Sequence, residues 1–270
     1  MGMRAAIMFM VPCLTAIVSC SIKEDRTDCP CWLTVNLENT SLEHPDMTHK
    51  DVTIAMWSPD LIRRERVTVA DYGEERPYER SVPKGLVSLS AYAGRTKMVT
   101  QARKLIVSKG SQCDSIYAYS NLVDCTEEYA SDDAVLHKEF ATLLITMACN
   151  PDEQNSFGIR VRGNVNGFDT VDMSPLPGDF EFMSFGDGDL NNRFAVRVPR
   201  QQDSSLKLDV LGWEGVENTI DIGRYIEECG YSWDAPDLDD IRIDIEHASI
   251  IGQLQILPWE EESREFQLKD

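Results

Sequence analysis

Residues 82–94 read VPKGLVSLSAYAG, and the pattern of this stretch decides the fold. Its proline, lysine and glycine form a turn signal, because proline presets one turn angle and glycine accepts a positive φ. Small apolar side chains then recur at every second position, at Val87, Leu89 and Ala91, with polar or aromatic residues between them. A period of two places the apolar side chains on one face of an extended chain. Residues 86–92 are therefore predicted to form a half-buried β-strand.

The same alternation recurs along the chain, whereas helical periodicity is nearly absent. Further strands are predicted at residues 32–37, 52–57, 116–119, 142–147, 157–165, 193–198, 206–211, 241–245 and 253–257. Turn signals lie at residues 83–85, 109–111, 166–167 and 177–179. Many short strands at such spacing predict an all-β protein built of β-sandwiches. One short helix is expected at residues 222–229, with Asp221 capping its start and Gly230 ending it.

The acidic stretch CTEEYASDD at residues 125–133 is the best candidate for a domain boundary, because a new set of strands begins near Leu136. A division there predicts an N-terminal β-sandwich at residues 31–133 and a C-terminal β-sandwich at residues 134–270 that ends in a charged tail. Each part would have the size of an ordinary domain.

The first nineteen residues carry one positive charge, Arg4, and no acid, and they include an apolar stretch at residues 5–18. As a helix this stretch would extend only about 21 Å, against a hydrocarbon core of roughly 30 Å. It is too short to span a membrane. Residues 1–19 are therefore predicted to be a signal peptide.

The sequence IVSC at residues 17–20 resembles a lipobox, in which a diacylglyceryl group is attached to the sulfur of Cys20 and the peptide is cut just before it. The alternative is an ordinary secretory signal with Cys20 as a plain thiol. In the first case residues 20–30 form a lipidated linker, whose Lys23, Glu24 and Asp25 resemble the export signal of Bacteroidetes surface lipoproteins. Multiple acyl chains would make anchoring in the outer membrane effectively permanent.

The chain contains 46 acidic and 26 basic residues, which gives a formal net charge of -20. A surface this negative repels phosphate groups. We therefore expect neither nucleic acid nor an anionic membrane face as a partner.

Cysteine usage agrees with an oxidising compartment. Of the eight cysteines, Cys13 lies in the signal peptide and Cys20 is the lipidation candidate, which leaves Cys29, Cys31, Cys113, Cys125, Cys149 and Cys229. Their pairing cannot be read from sequence alone. The favoured bridges join Cys113 to Cys125 and Cys149 to Cys229, and buried free thiols are the alternative. A zinc site is disfavoured because Cys29 and Cys31 have the wrong spacing for one.

Motifs for catalysis are absent from the sequence. Asp187 and Asp189 open a stretch that begins like a calcium loop, but Asn192 stands in place of the glycine and Val198 in place of the bidentate glutamate. The four histidines form no metal-binding pair, and no phosphate-binding loop is present. We therefore expect no catalytic residue, no metal and no cofactor.

Several segments, taken in order, resemble the fimbrillin-A-associated anchor subunits of Bacteroidetes type V pili. They are DCPCWLTV, VPKGLVSLSAYAG, GSQCDSIYAYSNLVDC, LHKEFATLLI, VRGNVNGFD with PLPGDF, RVPRQQDSSLKLDV and IGRYIEECGYSWDAPDLDDIRIDI. The likeness covers most of residues 20–259. It implies two tandem transthyretin-like domains with Greek-key topology, and a lipoprotein that roots a pilus in the outer membrane. Its partners would be major or minor pilin subunits of the same fimbria.

In that family a pilin loses its first strand by proteolysis, and a strand from the next subunit fills the groove. A sheet that lacks one strand exposes unpaired amides and an apolar groove. An added strand forms hydrogen bonds with the amides and fills the groove with its side chains. The alternating residues 250–257 fit a strand that either pairs inside its own domain or is given to a neighbour. The charged residues 260–270 are expected to end pairing.

A glycan-binding surface lipoprotein of a polysaccharide-uptake system is the alternative function. It would share the lipobox, the export signal and the β-sandwiches, and it predicts an exposed platform of coplanar aromatic side chains. Trp213, Tyr231 and Trp233 are candidates, although aromatic residues that flank strands more often pack in a core.

Overall fold

The computed structural model of the protein describes residues 29–72, 75–148, 158–186, 191–212, 215–246, 251–257 and 264–267. Its strands are β1 (Cys31–Asn36), β2 (Asp51–Ser58), β3 (Leu61–Thr68), β4 (Tyr78–Val82), β5 (Leu86–Ala93), β6 (Val99–Gln101), β7 (Lys104–Ile106), β8 (Tyr117–Asp124), β9 (Tyr129–Asp133), β10 (His137–Lys138), β11 (Phe140–Ala148), β12 (Gly158–Asp169), β13 (Pro175–Phe185), β14 (Asn191–Pro199), β15 (Lys207–Gly212), β16 (Gly215–Ile220), β17 (Asp240–Glu246), β18 (Ile251–Leu257) and β19 (Arg264–Gln267). The α-helices are α1 (Glu38–Glu43) and α2 (Ile222–Glu228). Within the described ranges, no helix has both the length and the apolar character needed to cross a membrane.

Two sheets form most of the first half of the chain. A three-stranded sheet has the order β4-β1-β9, in which β1 runs antiparallel to β4 and parallel to β9. A five-stranded antiparallel sheet has the order β10-β8-β5-β2-β3. Leu33 and Val35 of β1 and Ile54 and Met56 of β2 are all at most 1% exposed. The strand period of two thus supplies each sheet with an apolar face to bury.

The second half also contains two sheets. One has the order β14-β11-β17-β18-β19, with β11 and β17 parallel. The other has the order β16-β15-β12-β7-β6, and β13 pairs along the free side of β12. Fully buried residues such as Leu143, Val161, Val196 and Leu208 line these strands. Buried residues from both halves belong to one connected hydrophobic cluster.

The hairpin of β6 and β7 crosses the predicted domain boundary. It precedes residue 133 in sequence, yet Leu105 and Ile106 of β7 pair with Phe168 and Gly167 of β12. A Cβ atom on Gly167 would lie 2.1 Å from the carbonyl oxygen of Leu105, so this close approach of two backbones requires glycine. The division near residue 133 and the two transthyretin-like domains stay predictions.

The predicted all-β class is confirmed, and every predicted strand overlaps an observed one. Two predicted turns are wrong, because residues 166–167 lie inside β12 and residues 177–179 inside β13. Register shifts between Gly163 and Val165 and between Val165 and Gly167 accommodate the turn-forming residues as bulges. The chain reverses instead at residues 170–174, between the ends of β12 and β13.

The predicted helix is observed as α2, and Gly230 follows it with a φ of 85°. Asp221 precedes the helix, but its side chain makes no capping hydrogen bond, so that detail is wrong. Helix α1 is not predicted. Tertiary contacts hold it, because the buried Thr40 hydroxyl donates to the carbonyl oxygen of Ala134 at 2.7 Å. Strand β19 corrects the expectation that the charged tail ends pairing, since β19 pairs with β18.

Candidate functional site

Side chains cover the edges of β3 and β4, where the two sheets of the first half meet. Arg80 of β4 donates to a carboxylate oxygen of Glu65 in β3, through Nε at 3.0 Å and Nη2 at 2.7 Å. The guanidinium of Arg80 also lies 4.4 Å from the centre of the Tyr78 ring. The hydrogen bond from Arg80 is the main cause that lowers the pKa of Glu65. Charged side chains at an edge discourage a further strand from pairing there.

The opposite side of the first half is closed in the same way. Asp132 of β9 accepts hydrogen bonds from the Tyr119 hydroxyl at 2.9 Å and from Nδ2 of Asn121 at 2.8 Å, both in β8. Burial and the Asp132 carboxylate raise the pKa of Tyr119, so the phenol keeps its proton and remains the donor. Both sides of the first half are therefore bridged by side chains.

Strand β13 offers a different kind of edge. It has eleven residues, and within the described part of the chain it pairs only with β12. Met183 and Phe185 lie two positions apart on one face and are 46% and 68% exposed. The Phe185 ring rests on Gly158 of β12, where a Cβ atom would lie 2.6 Å from the ring. We call residues 175–185 the β13 edge. A long edge with exposed apolar side chains suits the addition of a partner's strand.

An exposed aromatic pair lies on the outer face of the three-stranded sheet. Trp32 of β1 is the register partner of Tyr129 in the parallel strand β9. The side chains are 42% and 69% exposed, while the neighbouring Cys31 and Leu33 are fully buried. Partners in register point to the same face, so both side chains project from the outer face of the sheet. Such a pair can stack on a flat apolar surface, including the face of a sugar ring.

A cleft of about 570 Å³ gathers cations in a chain whose net charge is -20. Its lining includes the cationic residues Lys50, Arg66, Arg95 and Arg197 beside a single carboxylate, that of Asp51. We call it the basic cleft. The local excess of positive charge makes it a place where a carboxylate or another anionic group of a ligand can bind.

Asp114 holds the rim of the basic cleft in shape. Its buried carboxylate accepts hydrogen bonds from the amides of Thr96, Lys97 and Met98, with N–O distances of 2.6, 2.7 and 2.7 Å. Burial opposes ionisation, but the hydrogen bonds from Met98 and Thr96 outweigh it and lower the pKa of Asp114. The rim is thus built around a carboxylate that stays charged at neutral pH.

Asp209 in β15 carries a buried carboxylate with several hydrogen-bond donors. Its side chain is 0% exposed, between Arg160 and Arg162 of β12. Arg160 and Arg162 donate from Nε at 2.7 and 2.8 Å, and the Thr219 hydroxyl donates at 2.7 Å. Sequence reasoning missed this cluster. Its one sequence signal is the alternation Arg-Val-Arg at residues 160–162, which does not reveal the acid that the fold brings opposite.

The predicted lipidation and export residues lie outside the described residues. They are Cys20, Lys23, Glu24 and Asp25. Asp187, Asp189 and Trp213 also fall outside them. Within the described ranges, no group of three or more His, Cys, Asp or Glu side chains is arranged to hold a metal ion.

In the structure Cys31, Cys113 and Cys125 are all buried and free, and Cys31 is the neighbour of Cys125. The bridge between Cys113 and Cys125 stays a prediction. Cys229 is half-buried and free, while its predicted partner Cys149 lies outside the described residues.

Tyr231 and Trp233 do not form an exposed platform. They are 8% and 6% exposed, and their ring centres lie 4.8 Å apart in an edge contact. They therefore pack in the core, as aromatic residues that flank strands commonly do.

No family model and no curated protein matches the sequence. Solved structures do match. The fimbrial anchor protein Mfa2 from Porphyromonas gingivalis is 14% identical with a TM-score of 0.58, over 87% of this chain and 100% of that chain. A candidate adhesin from Bacteroides ovatus is 11% identical with a TM-score of 0.58, over 92% and 98% of the two chains. A candidate polysaccharide-binding protein from Bacteroides thetaiotaomicron is 12% identical with a TM-score of 0.59, over 89% and 99%.

The chain has the fold of these proteins. It spans nearly the full length of each one, so the shared fold includes both halves of the chain. The fold class expected from the resemblance to fimbrial anchor subunits is thereby confirmed, whereas its two transthyretin-like domains stay a prediction.

Proposed function

We propose that the protein is an outer-membrane lipoprotein, exposed on the cell surface, that anchors a type V fimbria or helps to assemble it. The fold shared with the fimbrial anchor protein Mfa2, over the whole of that chain, is the observation that carries the proposal. The lipobox at Cys20 and the export signal at Lys23, Glu24 and Asp25 support it. The role is structural and not enzymatic, and its partners are pilin subunits of the same fimbria.

The lipid anchor at Cys20 holds one end of the protein in the membrane. Each buried CH₂ group of an acyl chain contributes about 0.8 kcal/mol, so several chains together do not dissociate on the timescale of fibre growth. The linker at residues 20–30 then leads directly into β1, which begins at Cys31. The folded part therefore sits close to the membrane, where a fibre can be attached.

The β13 edge is where we propose that a pilin strand adds. An added strand gains about 1 kcal/mol net for each hydrogen bond and about 25 cal/mol for each Å² of apolar surface that it buries. Met183 and Phe185 supply exposed apolar surface on this edge, while charged or polar side chains bridge the edges of β3, β4 and β9. The β13 edge is thus the better-suited acceptor.

Replacing both Met183 and Phe185 with lysine tests this contact. Pairing a strand there would then bury two ammonium groups without partners, so we expect co-isolation of the protein with sheared fimbriae to fall at least about tenfold. The measurement is the ratio of this protein to pilin in fimbriae sheared from cells that express each variant.

Leu42→Lys is the matched control. Leu42 is 70% exposed on helix α1, which cannot accept a strand, so this variant should co-isolate like the parent protein. Normal co-isolation of the double lysine variant would exclude the β13 edge as the docking site. A parent protein that never accompanies pilin would contradict the proposed function itself.

Glycan binding is the second candidate, and the Trp32–Tyr129 pair is the observation that favours it. The polysaccharide-binding description of one structural neighbour agrees with it. If the pair forms a sugar platform, calorimetric titration with oligosaccharides should show binding that Trp32→Ser weakens about tenfold, since stacking on the indole is lost. Leu122→Ser removes another exposed apolar side chain and is the control. An absence of heat with the parent protein would reject this candidate.

A further inference from the structure

Two cysteines meet at one corner of the first half of the chain. Cys31 opens β1 in the three-stranded sheet, and Cys125 directly follows β8 in the five-stranded sheet. Both side chains are 0% exposed. The two residues therefore belong to different sheets but reach the same part of the core.

Backbone contacts fix this meeting point. Cys31 lies opposite Val82 in the pairing of β1 with β4. Three residues later along the chain, Gly85 exchanges two backbone hydrogen bonds with Cys125, with N–O distances of 2.8 and 3.3 Å. The amide of Trp32 donates to the carbonyl oxygen of Glu128 at 2.8 Å. The start of β1 is thus held against the segment after β8 from two directions.

Both thiols are free in the structure, and Cys31 is a direct neighbour of Cys125. We propose that these two cysteines form a disulfide bond that joins the two sheets once the protein has left the cytoplasm. The bond forms by exchange with the disulfide of a thiol oxidoreductase. One new S–S bond links Cys31 to Cys125, the S–S bond of the oxidoreductase breaks, and that enzyme takes up the two electrons and two protons.

The other described cysteines are placed elsewhere. Cys113 is tied to β14, because its amide donates to the carbonyl oxygen of Arg197 at 3.0 Å and its own carbonyl oxygen accepts from Nε of Arg197 at 2.9 Å. Cys29 is exposed, whereas Cys31 is buried against Cys125. The geometry thus selects one pair among Cys29, Cys31, Cys113 and Cys125.

Burial also determines when the bond can form. It raises the pKa of the Cys125 thiol to about 12, with the neighbouring Cys31 adding to the effect. Thiol–disulfide exchange requires a thiolate, which is scarce at neutral pH when the pKa is this high. The bond must therefore form while the chain is still folding, before the corner closes.

The position of the bridge suits a protein that carries load, and this role rests on the proposed anchor at Cys20. A pull on the linker at residues 20–30 reaches β1 first, and β1 pairs with β4 and β9 of its small sheet. A covalent bond from Cys31 to Cys125 passes the load to β8 in the larger sheet. The existence of the bond does not depend on the anchor and is tested separately from it.

Peptide mapping of the full-length protein, extracted from the envelope of the cells that make it and alkylated without reduction, tests the bond. Cleavage after Asp and Glu separates residues 29–38 from residues 125–127 and from the peptide that contains Cys113. We expect the first two peptides to appear joined, two hydrogens lighter than the sum of their masses, and to separate on reduction. Cys29→Ala and Cys113→Ala should keep this cross-link, whereas Cys31→Ala should leave Cys125 free for alkylation.

Alkylation of both Cys31 and Cys125 in the unsubstituted protein would overturn the proposal, as would a cross-link from Cys125 to Cys29 or Cys113. A second measurement does not depend on the variants. Reduced, folded protein should react with oxidised glutathione roughly a thousandfold more slowly than reduced protein in urea, because the thiolate fraction falls with the raised pKa. Equal rates in the two states would contradict a buried pair.

Discussion

Replacing Cys20 with alanine is expected to move essentially all of the protein from the membrane fraction into the soluble fraction. The sulfur of Cys20 is the proposed attachment point of the diacylglyceryl group, and alanine has no atom that can carry it. A chain with no acyl group loses about 0.8 kcal/mol for every CH₂ that would lie in the membrane, which abolishes anchoring. The measurement is an immunoblot of membrane and soluble fractions, with the intact mass of the mature protein.

Cys29→Ala is the matched control for this experiment. Cys29 is also a cysteine of the N-terminal region and is exposed, but it lies outside the lipobox. Its variant should stay in the membrane fraction and differ from the parent in mass only by the lost sulfur atom. If the Cys20→Ala protein also remained membrane-bound and differed from the parent in mass only by that sulfur atom, the anchor would be wrong. The pairing of Cys31 with Cys125 would survive that result, since it is measured by peptide mapping.

Replacing Asp209 with alanine is expected to lower the free energy of unfolding by about 3 kcal/mol, because it removes the buried acceptor of several charge-assisted hydrogen bonds while the two arginines stay partly exposed. That is a large share of the roughly 5–15 kcal/mol that stabilises an ordinary domain. Asp209→Asn keeps the shape of the side chain but removes its charge. We expect this variant to lose roughly 2–3 kcal/mol, measured by urea unfolding followed by circular dichroism.

The parent and the Asp209→Asn variant differ in their free energy of unfolding, and the direction in which this difference changes with pH can be predicted. Burial alone would raise the pKa of Asp209, but hydrogen bonds from Arg162, Thr219 and Arg160 outweigh it and lower the pKa to about 2. A depressed pKa in the folded state stabilises the protein above the unfolded value of about 4, and this contribution is lost as the pH falls toward 2. The free energies of unfolding of the parent and the Asp209→Asn variant should therefore differ most above about pH 4 and become equal as the pH approaches 2.

Asp234→Asn is the control for the effect of removing a charge. Asp234 is exposed near the end of the second half, so its replacement should change the free energy of unfolding by at most about 0.5 kcal/mol. If Asp209→Asn cost no more than Asp234→Asn, the carboxylate would not be a stabilising element of the sheet. A difference that grew as the pH fell would contradict the lowered pKa.

Alternation predicts strands where one face of the strand is apolar, and it fails where charges are paired across the fold. Residues 86–92 and 193–198 show clear alternation and lie in β5 and β14. Strand β3 contains Arg63, Arg64, Glu65 and Arg66 and was not predicted. Its charged residues fit a strand because they find partners across the fold, as Glu65 does in Arg80 of β4. That partner cannot be identified before the neighbouring strand is known.

Turn residues mislead for a related reason. Residues 177–179 read Pro-Gly-Asp, which predicts a reversal, yet they lie inside β13. A Cβ atom on Gly178 would lie 2.5 Å from the side chain of Asn166, so this glycine serves a close approach between strands and not a turn. Local propensity is a weak preference that tertiary contacts override.

The sequence by itself determined the all-β class and the positions of most strands, because the two-residue period of buried side chains is a local property of the chain. Only the tertiary structure decided that Cys125 has Cys31 and not Cys113 as its neighbour, that Asp209 lies between Arg160 and Arg162, and that β13 pairs only with β12 among the described residues. Each of these depends on which distant strands become neighbours. Which strands become neighbours depends on burying the apolar faces of all the strands together. It therefore cannot be predicted from any single segment.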